Sequence, residues 1–133
     1  MRKVRLEMKE TIKHFTDLVV WQKAHELTLM IYYVTSSFPK TEIFGLTNQL
    51  RRSATSISAN IAEGMGRGSY ADRARFYYNA RGSIYEVENH LIVSKDLRFI
   101  NDEMFKKAVE ILNSTRMLLN AFISKTLKMH NYK

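Results

Sequence analysis

The side chains of this sequence best suited to a chemical function are six arginines between residues 51 and 81. This segment contains only two acidic residues. A guanidinium binds phosphate oxygens through two parallel hydrogen bonds and also stacks on nucleobases. Six arginines against two acids therefore predict contact with a polyanion. The arginines are Arg51, Arg52, Arg67, Arg73, Arg75 and Arg81, and the acids are Glu63 and Asp72.

Two further basic segments flank this cluster. Residues 1–13 carry five Lys and Arg against two acids, and residues 111–133 carry four Lys and Arg with no acid. The whole chain has 21 Lys and Arg against 13 Asp and Glu, a net charge of +8. Such an excess suits nucleic acid or an anionic surface, and composition alone does not separate the two. The predicted nucleic-acid contacts are Arg51, Arg67, Arg73, Arg75, Lys125 and Lys128.

A glycine-rich stretch, Gly64–Gly68, lies beside the predicted start of a helix, where free backbone N–H groups can hold a phosphate. It follows a helix rather than a strand and lacks the Lys-Ser/Thr pair of a P-loop, which argues against a mononucleotide site. Nearby aromatic side chains would stack on unpaired bases. They are Tyr70, Phe76, Tyr77 and Tyr78. In the alternative interpretation, the arginines pair with Glu63, Asp72 or Glu86 and the tyrosines fill the core.

Catalytic and metal-binding patterns are weak. The chain has no Cys and four His, none of which forms an i, i+4 pair with another. A di-iron bundle needs Glu-x-x-His on two helices, and this spacing is missing. We therefore expect no enzyme activity, no metal and no cofactor. Apolar runs fall far short of about 20 residues and no secretory leader is evident, so we expect a cytoplasmic protein without membrane contact.

Hydrophobic spacing predicts four helices, over about 17–38, 41–63, 69–97 and from 101 onward, each with one inward apolar face, which on the second helix includes Ile43. Ser69 and Asn101 are predicted N-caps, and the glycines after residue 63 are predicted to end the second helix in a left-handed conformation. Short connections favour antiparallel neighbours, hence an all-α, up-down-up-down four-helix bundle. We expect a basic N-terminal arm over residues 1–13 and the bundle over 14–133. Apolar residues outside the core faces, such as Tyr32 and Tyr33, suggest a subunit interface, or aromatic side chains that flank the core.

Several sequence motifs together resemble one protein family. They are Phe15–Ala24 (FTDLVVWQKA), Phe38-Pro39, Gly45-Leu46, Gln49–Arg52, Asn60–Gly64 (NIAEG) and Gly82–Glu86. This pattern resembles the small four-helix-bundle proteins encoded in intervening sequences of bacterial 23S rRNA genes. The family often has Pro after the Ser-Ile pair, where this chain has Ser58. The signature positions are Trp21, Pro39, Arg52, Asn60, Glu63 and Gly64.

The resemblance implies a ring-like homopentamer without catalytic residues. The family is similar to the accessory variability proteins of diversity-generating retroelements, which bind nucleic acid and a reverse transcriptase. We therefore expect a non-enzymatic, oligomeric scaffold or accessory factor that binds RNA or DNA. The alternative is a protein-interaction module that docks a partner such as a reverse transcriptase.

Overall fold

The structure, a computed structural model, describes residues 12–131, which form four long helices and two short 3-10 turns, with no strand in that range. Most of the predicted N-terminal arm, residues 1–11, lies outside the described residues. None of the helices in the described range contains an apolar stretch that could span a bilayer. The helices are α1 (Val19–Thr35), α2 (Leu46–Met65), α3 (Tyr70–Asp96) and α4 (Asp102–Asn131), and the turns are Phe15–Asp17 and Lys40–Glu42.

The four helices pack as an antiparallel up-down-up-down bundle, as predicted. On α3 and α4, the ring centroids of Tyr77 and Phe122 lie 4.8 Å apart, whereas Glu88 lies 2.9 Å from Arg116. The residue number on one helix rises as that on its neighbour falls, which makes the pair antiparallel. The same reversal relates α1 to α2 and α2 to α3. The contacts that show it are Thr28–Ala54, Thr35–Arg51, Ser56–Ser83 and Gly64–Tyr77.

The core lies between the helices and takes one apolar face from each of them. Leu27, Leu50, Ile84 and Leu112, one from each helix, are all completely buried. Their neighbours at three- and four-residue spacing are buried too, which confirms the predicted inward faces. The exception is Ile43, which is predicted to lie on the inward face of the second helix but is 48% exposed.

Side-chain caps start the last two helices where the sequence predicts them. The Ser69 hydroxyl accepts a hydrogen bond from the backbone N–H of Asp72, at 3.1 Å. The Asn101 side chain accepts one from the backbone N–H of Met104, at 2.8 Å. Each cap satisfies an N–H group that has no partner within the first turn of its helix.

The first two helices are shorter than predicted. α1 starts at Val19 and not at Asp17, because Phe15–Asp17 forms a 3-10 turn. α2 starts at Leu46 and not near Thr41, because a second 3-10 turn occupies the predicted start. There the Glu42 carboxylate accepts a hydrogen bond from the Leu46 N–H at 3.2 Å. Phe44 consequently lies in the connection between α1 and α2, where it is 91% exposed.

The predicted left-handed glycine at the end of α2 is wrong. Gly66 caps this helix with φ −82°, and the described residue with positive φ is Arg98, with φ 64°. Gly64 lies inside α2, where a Cβ atom would come within 2.5 Å of the Tyr77 ring and 3.2 Å of the Arg73 carbonyl oxygen. Gly64 therefore permits the close approach of α2 and α3 rather than a turn.

We predict that Gly64→Ala lowers the free energy of unfolding by about 1–2 kcal/mol. The added methyl group overpacks the contact with the Tyr77 ring, which costs more than the helix propensity that alanine gains. Chemical denaturation measures the change. Gly82→Ala is the matched control, because a Cβ atom there meets nothing within 4 Å. It should raise stability by about 0.5–1 kcal/mol, and equal effects at the two positions would contradict the close-approach explanation.

We predict that Arg98→Gly raises the free energy of unfolding by about 0.5–1 kcal/mol. Arg98 adopts the left-handed conformation in the turn after α3, where a side chain is strained and glycine is not. Greater freedom of glycine in the unfolded chain offsets part of the gain. Arg98→Ala is the control, since it keeps the strain and removes only the side chain. If both variants show the same stability, strain at this residue is not the cause.

Candidate nucleic-acid interface

The antiparallel topology brings five of the six predicted binding residues to one end of the bundle, where α2 ends, α3 begins and α4 ends. Arg73 lies one helical turn before Tyr77, and Lys125 lies about one turn beyond Phe122. Because the Tyr77 and Phe122 rings are in contact, both cations lie toward the same end. We call this region the basic end; its cations are Arg67, Arg73, Arg75, Lys125 and Lys128.

Arg67 takes part in a compact ionic cluster at the basic end. Its Nη2 atom lies 2.9 Å from Glu63 Oε1, and its Nε atom lies 3.9 Å from Asp72 Oδ2. The guanidinium also lies 4.5 Å from the centroid of the Phe76 ring. Its side chain nevertheless remains 40% exposed. Arg67 is therefore paired but still accessible.

Arg75 pairs with Asp72, the acid that also lies near Arg67. Its Nε and Nη2 atoms donate to Asp72 Oδ1 at 3.2 and 2.9 Å, and its side chain is 64% exposed. Its guanidinium lies 4.9 Å from the Phe76 centroid, so Arg67 and Arg75 both cover this ring. For these two arginines the pairing with Glu63 and Asp72 that the sequence left open is present.

Arg73 has a different environment. Its Nε atom donates to the backbone carbonyl of Arg67 at 2.8 Å, and its guanidinium lies 5.2 Å from the Tyr70 ring. Within the described residues no carboxylate lies within ion-pair distance of Arg73. No described carboxylate therefore neutralises its charge, and the hydrogen bond fixes its position.

The end of α4 adds two exposed lysines, Lys125 and Lys128. Cations in the last turns of a helix interact favourably with the partial negative charge of the free carbonyl groups. The described part of the chain has no acid after Glu110. Elsewhere at this end, backbone N–H groups of Lys13 and His14 donate to the Asp17 carboxylate and lower the pKa of Asp17 below its ordinary value.

Arg51 does not lie at the basic end. It precedes the last residue of α2 by 14 positions, which corresponds to about 21 Å along the helix. Its Nε atom donates to Thr35 Oγ1 at 2.8 Å, and its guanidinium lies 4.7 Å from the Tyr32 ring. It lines a shallow groove of about 690 Å³ between α1 and α2, together with Arg52 and Phe44.

Two of the predicted base-stacking residues are not available to a ligand. Tyr77 is 1% exposed in the core, and burial raises the pKa of Tyr77 to about 12. Phe76 is 8% exposed beneath the two guanidiniums. Tyr70 is partly buried and Tyr78 is 40% exposed, so the tyrosines divide between the core and the surface.

The signature residues have mainly structural contacts. Trp21 stacks on His25 at 4.9 Å, with ring planes 10° apart, and Pro39 precedes the 3-10 turn at Lys40–Glu42. The Asn60 side chain donates to the Ser56 carbonyl at 2.8 Å. Glu63 and Gly64 make the contacts described above, and Arg52 is exposed. These contacts indicate that the signature residues serve helix packing and helix ends rather than a chemical reaction.

Neither the contacts of Arg51 and Arg73 with tyrosines given above nor two further arginine–tyrosine contacts were predicted from the sequence. The Arg81 guanidinium lies 4.9 Å from the Tyr78 ring, and that of Arg116 lies 4.8 Å from the Tyr85 ring. The three-residue spacing of Tyr78 and Arg81 is a local signal, whereas Arg116 and Tyr85 meet only through packing of α3 and α4. No group of three His, Asp or Glu residues in the described part of the chain is close enough to hold a metal ion.

Comparison with known proteins identifies a family and agrees with the four-helix fold. Residues 16–121 match the sequence pattern of the family described as 23S rRNA-intervening sequence protein. Among solved structures, one similar protein is of unknown function, from the S23 ribosomal protein family of Bacteroides thetaiotaomicron. It is 27% identical, with a TM-score of 0.71, over 79% of this chain and 98% of the other. No curated protein matches the sequence significantly.

Proposed function

Because the chain belongs to the 23S rRNA-intervening sequence protein family, we propose that it is a non-enzymatic, oligomeric bundle that binds RNA or DNA. The basic end makes the contacts, mostly to phosphates and therefore with little sequence specificity. The protein acts as a scaffold or accessory factor in the cytoplasm and needs no cofactor. The observation that carries this proposal is the convergence of Arg67, Arg73, Arg75, Lys125 and Lys128 at one end of the bundle.

The distribution of charge along α4 supports this surface. The first third of α4 mixes acids and lysines, whereas its last third has Lys125 and Lys128 and no acid. Salt-dependent binding driven by release of counterions is expected where cations are not mixed with acids. The two ends of the same helix therefore differ in their attraction for a phosphate backbone.

Pairing with acids does not remove Arg67 and Arg75 from this surface. Both side chains are exposed, and ion pairs between exposed groups contribute little to stability. A phosphate oxygen can replace a carboxylate oxygen at small cost. The existing pairs also hold the guanidiniums near the surface, which reduces the entropy lost on binding.

We predict that the double substitution Lys125→Gln and Lys128→Gln weakens binding to RNA and DNA oligonucleotides roughly tenfold near 50 mM salt. If both lysines contact phosphates, the slope of log affinity against log salt should fall by about 1.4–1.8. Fluorescence anisotropy at several salt concentrations measures both quantities.

The matched control is the double substitution Lys106→Gln and Lys107→Gln, which removes the same charge from the opposite end of α4. It should change affinity by less than twofold beyond the general effect of net charge. An equal loss in both double variants would contradict a localised surface. The absence of any binding by the unaltered protein at 50 mM salt would contradict the proposed function.

Self-association is part of the proposal, and we propose a homopentamer. Large apolar side chains exposed along the groove between α1 and α2 support it, since single chains seldom leave such surfaces uncovered. Tyr32 is 45% exposed there, Ile43 48% and Phe44 91%. The second candidate function, docking of a reverse transcriptase as by the accessory variability proteins that the family resembles, would use this apolar groove in place of self-association.

We predict that native mass spectrometry at micromolar concentration detects a particle of five chains. Phe44→Asp should reduce its abundance and leave the helical circular dichroism unchanged, because this side chain supports no core contact. Val19→Asp, at another exposed apolar position outside the groove, is the control. A particle that is monomeric at this concentration would contradict the pentamer.

A further inference from the structure

An exposed stripe on α3 is not explained by the packing of the bundle. Tyr78 is 40% exposed and Tyr85 is 56% exposed, and Gly82 lies exposed between them. Spacings of four and three residues place all three on one face of the helix. The two tyrosines lie seven residues apart, about 10 Å along the helix axis. The stripe therefore presents two aromatic rings on either side of a position without a side chain.

Guanidinium groups accompany both rings, and one of them comes from the neighbouring helix. Arg81 on α3 lies 4.9 Å from the Tyr78 ring, and Arg116 on α4 lies 4.8 Å from the Tyr85 ring. The contact with Arg116 places the stripe beside the seam between α3 and α4. We call this surface the tyrosine groove; its residues are Tyr78, Arg81, Gly82, Tyr85 and Arg116.

The Tyr78 end of the tyrosine groove is cationic, and its acids lie at the Tyr85 end. Between Arg73 and Tyr85 α3 carries no acid, and α4 carries none after Glu110. Exposed Glu86 directly follows Tyr85, whereas the Glu88 carboxylate is engaged by Arg116 at 2.9 Å. Burial lowers the pKa of Arg116, but the contacts with Glu88 and Tyr85 together outweigh it, so the pKa of Arg116 is raised. Exposed Asn89 and Asn120 lie one turn beyond Tyr85 and Arg116 and add amide donors and acceptors.

Gly82 leaves the helix backbone open between the two tyrosine rings. A glycine in a helix interior lowers stability, and one use of glycine is to let another group approach the backbone closely. Gly64 has such a reason within the bundle, the Tyr77 ring. A Cβ atom on Gly82 would meet nothing within 4 Å, so no contact inside this chain requires glycine there. The open space over the backbone at Gly82, between the two tyrosines, fits a flat group that lies against the helix.

We propose that the tyrosine groove binds unpaired nucleotides of single-stranded RNA or DNA. Bases stack on Tyr78 and Tyr85 and pass over Gly82, while Arg81 contacts the phosphates. This inference rests on the proposed function and adds that the protein prefers single-stranded to double-stranded nucleic acid. Aromatic stacking requires an accessible base face, which a duplex hides between its neighbouring pairs, whereas phosphate contacts at the basic end do not distinguish the two forms.

A second copy of the chain is the alternative occupant of this surface. Ile92, seven residues after Tyr85, continues the stripe and is 47% exposed. The groove itself, however, carries two arginines, and Arg81 forms no ion pair with a described carboxylate, whereas the core of a protein interface is usually depleted of charge. These features favour a polyanionic ligand that offers flat aromatic surfaces.

The test compares a single-stranded 12-nucleotide RNA and DNA with the corresponding duplexes by fluorescence anisotropy. We expect the unaltered protein to prefer the single strands. The double substitution Tyr78→Leu and Tyr85→Leu should weaken single-strand binding at least tenfold and change duplex binding less than twofold. Tyr78→Phe with Tyr85→Phe should retain the preference, because stacking needs the ring and not the hydroxyl. Tyr33→Leu, at a tyrosine on α1 that is 68% exposed, is the matched control.

Substitution of Gly82 gives a readout that a structural role would not produce. Gly82→Leu should leave the fold intact or raise its thermal midpoint, because the position is open and leucine favours helix. The same substitution should weaken single-strand binding about tenfold, because the leucine side chain fills the open space between Tyr78 and Tyr85. A stabilised protein with weaker single-strand binding supports the proposal, and unchanged single-strand binding overturns it.

The remaining outcomes separate this inference from the proposed function. If single strands and duplexes bind equally and the tyrosine variants have no effect, the groove proposal is overturned and binding at the basic end stands. If no nucleic acid binds to the unaltered protein, the proposed function itself fails. Native mass spectrometry also shows whether the tyrosine variants still form oligomers. If nucleic-acid binding is lost only to the extent that oligomers are lost, the groove is an interface between copies and the proposal is overturned.

Discussion

The close approach of α2 and α3 at Gly64 is the constraint on which the rest of the structure depends. The missing side chain lets the Tyr77 ring lie against the α2 backbone, and the same ring contacts Phe122 of α4. One buried tyrosine thus sets the relative heights of three helices. It also brings the end of α2, the start of α3 and the end of α4 to the same level, which is the condition for the basic end to exist.

The net charge of +8 gives an incomplete picture of the surface. At the junction of α2 and α3 two of the three arginines already face Glu63 and Asp72, and together they cover Phe76. Among the described residues of the basic end, the cations that form no ion pair with a described carboxylate are Arg73, Lys125 and Lys128. Paired arginines orient this surface and unpaired cations give it an attractive potential, so both groups matter for a phosphate backbone.

Local signals predicted much of the fold but less of the candidate site. The inward faces of the helices and the caps at Ser69 and Asn101 follow from spacing and side-chain chemistry within a few residues. The predicted start of α2 was wrong, because Lys40–Glu42 forms a 3-10 turn that hydrophobic spacing does not reveal, and the Glu42 carboxylate accepts from the Leu46 N–H at the observed start. The left-handed glycine was wrong as well, since sequence does not distinguish a glycine needed for a turn from one needed for helix packing.

By itself, the sequence determined the number of helices, their buried faces and the segments that carry the charge. These properties depend on the identity and spacing of neighbouring residues, which the helix period of 3.6 residues converts directly into faces. Only the tertiary structure decided which tyrosines are buried, and that Arg116 meets Glu88 and Tyr85. Those outcomes depend on the relative height and rotation of packed helices, which contacts such as that of Gly64 with Tyr77 set across residues far apart in the chain.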